Sequence, residues 1–215
     1  MHRRRELIEP VVSRISPGLP TIMSLPSILD AAHRAAAEVL NAGAVAVDAT
    51  VGNGHDTLFL AQAVGEEGRV YGFDVQAGAL RSTRERVETA GLGERLTLVQ
   101  GGHEDLLTHL PDRESGTLAV VMFNLGYLPG SESDVVTQPE TTCAALDDAA
   151  KALRPGGRIT AVLYTGHDGG QLEAAAVERW AEGLPSDRFT AVSYAYANRP
   201  NDPPRLLVVE KNDRE

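Results

Sequence analysis

The segment Val45-Ala46-Val47-Asp48-Ala49-Thr50-Val51-Gly52-Asn53-Gly54-His55-Asp56-Thr57 constrains this chain most, because it runs from a short apolar strand through a glycine turn into a helix. Glycine at positions 52 and 54 lets the backbone turn sharply and approach a ligand with no Cβ in the way. The helix that follows directs its unpaired N–H groups at the same ligand. A second strand, Arg69–Asp74, ends in a carboxylate about 20 residues downstream, the spacing at which an acid accepts hydrogen bonds from ribose hydroxyls. The stretch therefore reads as a nucleotide-cofactor loop with Asp74 as its ribose acid. Thr57 stands where a third glycine would complete the dinucleotide fingerprint, and no Lys-Ser/Thr pair follows the loop, so NAD and ATP lose ground.

At 215 residues and 42% hydrophobic content, the chain can bury a full core as one domain, with residues 1–25 as an N-terminal arm and 26–211 as the folded body. No apolar run approaches the ~20 residues that cross a bilayer, and no apolar core follows Arg3-Arg4-Arg5, so the expectation is a cytoplasmic protein without a membrane partner. Cys143 is the single cysteine, which excludes an internal disulfide and fits a reducing compartment; it reads as a small residue early in a helix. A net charge of −10 argues against a general nucleic-acid binder, because counterion release needs a field of positive charge. A local basic patch stays open. Arg3, Arg4, Arg5 and Arg14 gather in the proline-containing arm, which reads as a frayed arm, a clasp over the domain, or an RNA contact.

Apolar strands alternate with amphipathic helices, the pattern of a parallel sheet covered on both faces. Helices are expected from about 27 to 40, 55 to 63, 78 to 90, 140 to 153 and 171 to 183. Strands are expected at 45–49, 69–74, 96–100, 118–123, 158–164, 189–196 and 205–210, with Pro155-Gly156-Gly157 as the turn into the fifth. Only residues 197–203 separate the last two strands, too few for a crossover helix, so those strands pair antiparallel. The fold class is thus a doubly wound α/β sheet, and ligands of such sheets lie at the carboxyl ends of the strands. Seven strands with a reversed final hairpin resemble the Rossmann-like class I methyltransferase architecture.

The chemistry-bearing residues all fall at those ends. After strand four comes Asn124-Leu125-Gly126-Tyr127-Leu128-Pro129-Gly130, at the place where amino-group methyltransferases carry Asn-Pro-Pro-Tyr; this chain departs from that pattern with Leu-Gly in the middle. An Asn carbonyl and a neighbouring backbone carbonyl can accept hydrogen bonds from an amine and aim its lone pair, while the Tyr127 ring packs on the substrate. A plain turn closed by Asn, Gly and Pro is the alternative. His103 and Glu104 follow strand three, where His103 either meets an adenine or caps a helix, and His55 and Asp56 divide in the same way between capping and cofactor contact. His103 and His109 do not make a metal site, and no H-E-x-x-H occurs. Tyr164-Thr165-Gly166-His167-Asp168-Gly169-Gly170 gathers a histidine and an acid after strand five, with His167 as a candidate proton acceptor against a bland surface histidine. Thr137, Thr141 and Thr142 around Pro139 are expected to cap the following helix, and Tyr194 and Tyr196, on one strand face, to pack in the core.

Three separated motifs agree in order: Asp48-Ala49-Thr50-x-Gly52-Asn53-Gly54-His55-Asp56-Thr57, the 124–130 segment, and Tyr164-x-Gly166-His167-x-Gly169-Gly170. Over about residues 24–211 they resemble the bacterial YtqB/MnmM-like family, long labelled rRNA methylases and including a tRNA 5-aminomethyl-2-thiouridine methyltransferase. The resemblance implies S-adenosyl-L-methionine as cofactor. It would be held by Asp48, Thr50, Gly52, Asn53, Gly54, His55, Asp56 and Thr57, by Asp74, Val75 and Gln76, by His103 and Glu104, and by Asn124 and Gly126. Asn124, Tyr127 and His167 would then carry catalysis, no metal is needed, and the partner would be the anticodon region of tRNA. A small-molecule amine methyltransferase and a catalytically silent cofactor-binding protein are the rival readings. Oligomeric state is open, a homodimer included.

Overall fold

A computed structural model describes residues 25–126, 137–166 and 168–213. Seven strands form one sheet: β1 (Val45–Asp48), β2 (Arg69–Asp74), β3 (Leu96–Gln100), β4 (Leu118–Leu125), β5 (Leu153–Leu163), β6 (Phe189–Tyr194) and β7 (Arg205–Lys211). Their order is β3-β2-β1-β4-β5-β7-β6. β7 runs antiparallel to both β5 and β6, and all other neighbours are parallel. The helices are α1 (Ile28–Ala37), α2 (His55–Ala63), α3 (Ala77–Thr89), the single turn α4 (Leu106–His109), α5 (Pro139–Ala152) and α6 (Gly170–Glu182).

Alternation along β4 shows why the sheet needs cover on both sides. Val120 and Met122 face a core with Ile28, Ala32 and Ala36 of α1, Leu60 of α2 and Val87 of α3. Val121, Phe123 and Leu125 face Leu106 of α4, Leu146 of α5 and Val177 of α6. Each fully buried side chain of this size adds about 1.5–3 kcal/mol, so truncating Leu146 to Ala would weaken the fold by about 2–5 kcal/mol. α1 begins with a capping box, in which Asp30 N–H donates to Ser27 Oγ at 3.1 Å and Ser27 N–H donates to Asp30 Oδ2 at 3.2 Å. Arg158 of β5 pins its other end, donating to Ala35 O at 2.8 Å while pairing with Glu38 and Glu210 at 2.6 and 2.7 Å.

Several boundaries differ from the sequence reading, most of them by a few residues. β5 starts at Leu153 rather than Arg158, because the chain leaves α5 directly into the sheet and Pro155-Gly156-Gly157 becomes an irregularity where the β4–β5 register shifts. Gly157 has no room for more: a Cβ there would lie 2.7 Å from Leu118 O and 2.9 Å from Arg154 O. β6 stops at Tyr194, so Tyr196 belongs to the following loop. Tyr196 does pack on the core beside α1, as expected, whereas Tyr194 is half exposed. α4 went unread, being too short to show a helical period. No helix among the described residues is long and apolar enough to cross a membrane.

Candidate active site

The glycine loop after β1 is held from below by carboxylates and from the side by α3. Asp48, fully buried at the end of β1, accepts from Thr57 Oγ1 at 2.5 Å and from the Thr50 N–H at 3.2 Å. Burial, then the nearby Asp56 charge, raise the Asp48 carboxyl to about 7. Gly52 and Gly54 take left-handed φ values of 49° and 74°. A Cβ on Gly54 would also lie 2.5 Å from Thr83 Oγ1, so glycine here serves close packing on α3 as well as the turn. Thr83 Oγ1 donates to Gly52 O at 3.3 Å, and Arg86 Nε donates to Asn53 O at 2.9 Å.

Asp74 closes the other side. Its Oδ2 accepts from the Gly52 N–H at 2.9 Å and its Oδ1 from the Gln76 N–H at 2.8 Å, so the acid at the tip of β2 staples the loop while each oxygen keeps a second lone pair. Val75 beside it is half exposed, an apolar surface at the strand tip. His103 opens a short turn after β3, nearly buried, its ring edge-on to Phe123 with centroids 5.8 Å apart. It does not cap; Gly102 holds that position without a side-chain bond, and the Glu104 carboxylate folds back over Gly102, where a Cβ would lie 2.2 Å from it. Burial lowers the His103 imidazole below its ordinary value, so it is neutral at pH 7.

At β4 the structure departs from the sequence reading most usefully. Asp56 does not cap α2, whose N-cap is Gly54 with no side-chain bond, and His55 at the first helical position is exposed. Asp56 points inward instead. Its Oδ1 accepts from His33 Nε2 of α1 at 2.6 Å, and its Oδ2 accepts from Asn124 Nδ2 at the end of β4. His33 in turn stacks on Phe59, ring centroids 4.1 Å apart and planes 4° from parallel. The Asn124 N–H donates to Thr50 Oγ1 at 2.7 Å, joining β4 to the cofactor loop. The sequence reading missed His33; its position on the otherwise apolar face of α1 was the available signal. Burial, then the Asp56 charge, push the Tyr164 phenol above its ordinary value, so it stays neutral here.

Thr137 and Thr142 do not cap α5, which starts from Gln138. Both donate to the buried carboxylate of Glu173 in α6 at 2.6 Å, and Thr141 donates to Gln138 O. Gly126 ends the described part of the β4 turn; Tyr127 and His167 lie outside the described residues, as does most of the N-terminal arm. Cys143 is early in α5, and burial raises its thiol, as suits a packing residue. No group of three metal-ligating side chains occurs among the described residues.

Two buried polar atoms at this edge have no partner among the described residues: His103 Nε2 and Asn124 Oδ1. Buried polar groups are normally satisfied, and these two lie at the carboxyl ends of the strands, unlike Thr160 Oγ1 within β5, which also has no partner among the described residues. A cofactor with a polar base and a ribose suits the set of His103, Asp74 and the close-packed glycine backbone.

The family model described as "Putative rRNA methylase" matches residues 70–210. The chain belongs to this rRNA methylase family. It is 34% identical over 192 residues, 86% of this chain and 69% of the relative, to a tRNA (mnm(5)s(2)U34)-methyltransferase, chloroplastic, of Arabidopsis thaliana. Among solved structures it resembles a Clostridium thermocellum protein of the same rRNA-methylase description, with 38% identity, 88% and 100% of the two chains covered, and a TM-score of 0.84. It also resembles a Streptococcus mutans protein, "a putative methyltransferase" solved in complex with SAH, with 34% identity, 87% and 99% covered, and a TM-score of 0.79. This rRNA methylase family member is an S-adenosylmethionine-dependent methyltransferase, with the seven-stranded fold and reversed last strand of that class.

Proposed function

We propose that the protein is an N-methyltransferase acting on the wobble uridine of tRNA, converting 5-aminomethyl-2-thiouridine to 5-methylaminomethyl-2-thiouridine. The observation that carries this reading is Asn124 Oδ1, a buried acceptor without a partner among the described residues, at the carboxyl end of β4 and tied through Thr50 to the cofactor loop. An amine N–H is a donor that satisfies it. The Arabidopsis relative, a tRNA (mnm(5)s(2)U34)-methyltransferase, supports the choice of tRNA.

Bound S-adenosylmethionine supplies a methyl group activated by a sulfonium. On this chain's side, Asp74 and Val75 would hold the ribose and adenine region, His103 Nε2 would bond the base, and the 52–54 backbone would hold the rest of the cofactor. Asn124 Oδ1 would accept one N–H of the neutral amine and leave its nitrogen lone pair free to take the methyl group that the bound cofactor would supply. Nitrogen then loses one proton, for which His167 is the candidate acceptor and water the alternative. An alkylamine is mostly protonated near neutral pH, so the rate rises between about pH 6 and 9.

RNA contact has support at the same edge. Arg205 opens β7 opposite Leu163, the last residue of β5, so the 195–204 loop sits beside the Asn124 end of the sheet. Thr165 Oγ1 donates to Asp202 O at 2.8 Å, and Gln171 Nε2 donates to Asp202 Oδ2 at 3.1 Å, which anchors the loop. The exposed Arg199 guanidinium lies over the Tyr196 ring at 4.1 Å, with no ion pair among the described residues. Such a plane stacks on a base or meets a phosphate. The net charge of −10 favours the second reading, a small-molecule amine substrate. Purified enzyme with S-adenosylmethionine and either unmodified or aminomethylated tRNA decides: methylation of the aminomethylated form alone is expected, and equal methylation of both overturns the target.

A further inference from the structure

A carboxylate only accepts hydrogen bonds, so the end of the Asn124 amide that meets Asp56 Oδ2 is Nδ2, and the two ends of this amide are not interchangeable. Oδ1 is thereby turned away from Asp56, where it is buried and has no partner among the described residues. The orientation holds only while Asp56 itself is held. Asp56 is nearly buried, and its Oδ1 is fixed by His33 Nε2 at 2.6 Å. The His33 ring plane is set by its stack on Phe59, one helix away. His33 comes from α1, outside every loop that carries a motif, and touches neither the Asn124 acceptor nor the glycine turn through any bond described above.

We propose that His33 is a positioning residue for methyl transfer: through Asp56 it locks the Asn124 amide with Oδ1 presented to the substrate nitrogen. The inference rests on the N-methyltransferase reading and adds a substrate rule to it. His33 Nε2 and Asn124 Nδ2 both turn onto the Asp56 carboxylate, so the amide end left at the close of the chain is the Oδ1 acceptor. The nucleophile must then bring an N–H, which a primary amine does and a tertiary amine does not. A rotated Asn124 would present Nδ2 instead and compete with the amine as a second donor.

Two variants separate the hydrogen bond from the packing. H33F keeps a ring on Phe59 and removes the donor; H33Q keeps a donor near the Nε2 position. With saturating S-adenosylmethionine and an aminomethylated anticodon stem-loop, H33F is expected to lower kcat about tenfold or more, with the stem-loop KM and cofactor affinity within about twofold of wild type, and H33Q to recover most of the loss. In 15N spectra of the full chain, the Asn124 side-chain NH2 pair, identified by its disappearance in N124D, is expected to shift in H33F and return in H33Q. An unshifted NH2 pair, an unchanged kcat in H33F, or an equal loss in both variants overturns the role of His33 alone. A wild-type enzyme inert on amines overturns the N-methyl reading, and the substrate rule with it.

Discussion

The two halves of the sheet edge are built by different means. On the β1–β2 side the site is mostly backbone: the Gly52 and Gln76 N–H groups on Asp74, and the Gly52 and Asn53 carbonyls on Thr83 and Arg86. On the β4–β7 side it is mostly side chains reaching across the chain: Asn124 to Asp56, Asp56 to His33, Thr137 and Thr142 to Glu173, Thr165 to Asp202. Backbone cradles suit a fixed ligand that every turnover repeats, because they depend little on side-chain identity. Side-chain networks suit the variable substrate.

The sharpest break of that contrast is N124A. Loss of the acceptor should lower kcat by about a hundredfold to a thousandfold while cofactor affinity changes little, as expected for a group that acts on the reacting nitrogen. Steady-state kinetics with parallel calorimetry checks it; normal turnover with weakened cofactor binding would move Asn124 to the other half. D74A is the counterpart. It should weaken S-adenosylmethionine binding by about 1.5–3 kcal/mol, through lost bonds to the ribose and a loosened loop. Equal calorimetric affinities in mutant and wild type would remove Asp74 from the cradle.

Asp48 sharpens the comparison through pH. Its carboxyl is raised to about 7, so the folded protein keeps a proton that the unfolded chain releases from about pH 4 upward. Stability from this group is therefore whole below about pH 4, falls as pH rises towards 7, and is flat above. D48N removes that slope while leaving a side-chain oxygen for Thr57. The raised carboxyl costs the wild type about 4 kcal/mol at pH 8 and almost nothing at pH 4, so, set against about 2 kcal/mol for an unmatched NH2 group at either pH, D48N should gain about 2 kcal/mol at pH 8 and lose about 2 kcal/mol at pH 4, read from denaturant midpoints at both values. A pH-independent difference would show that Asp48 is ionised in the fold.

The backbone half was the legible half. Gly52, Gly54 and Asp74 lie within one βαβ unit, and a local motif states its geometry, so α2, β2 and β3 were bounded correctly from residue pattern alone. The side-chain half depends on pairs such as His33 with Asp56 and Thr137 with Glu173, separated by 23 and 36 residues, whose meeting follows only from how α1 and α6 pack. Propensity has no access to that. It also explains why capping, one of two readings for Asp56 and the expectation for Thr142, is not what either does: both types cap well in isolation, but each finds a buried tertiary partner instead.

Arg199 gives the smallest effect and the finest test of the division. Its guanidinium lies on Tyr196 in a loop fixed by Asp202, at the β5–β7 end of the sheet edge. If the second half recognises RNA, R199A should raise the stem-loop KM about threefold to tenfold and leave kcat and cofactor affinity alone, since one exposed cation–π or phosphate contact contributes about 1 kcal/mol. Salt distinguishes the two contacts. A lost phosphate contact lowers the dependence of log affinity on log salt by about 0.7 for a single strand, whereas a lost stacking contact leaves the slope nearly unchanged. R199K separates them again, because lysine keeps the charge and loses the plane. Rescue by lysine with a restored salt slope assigns Arg199 to a phosphate; failure of lysine with an unaltered slope assigns it to a base. Wild-type KM in R199A would confine RNA recognition to other parts of the edge.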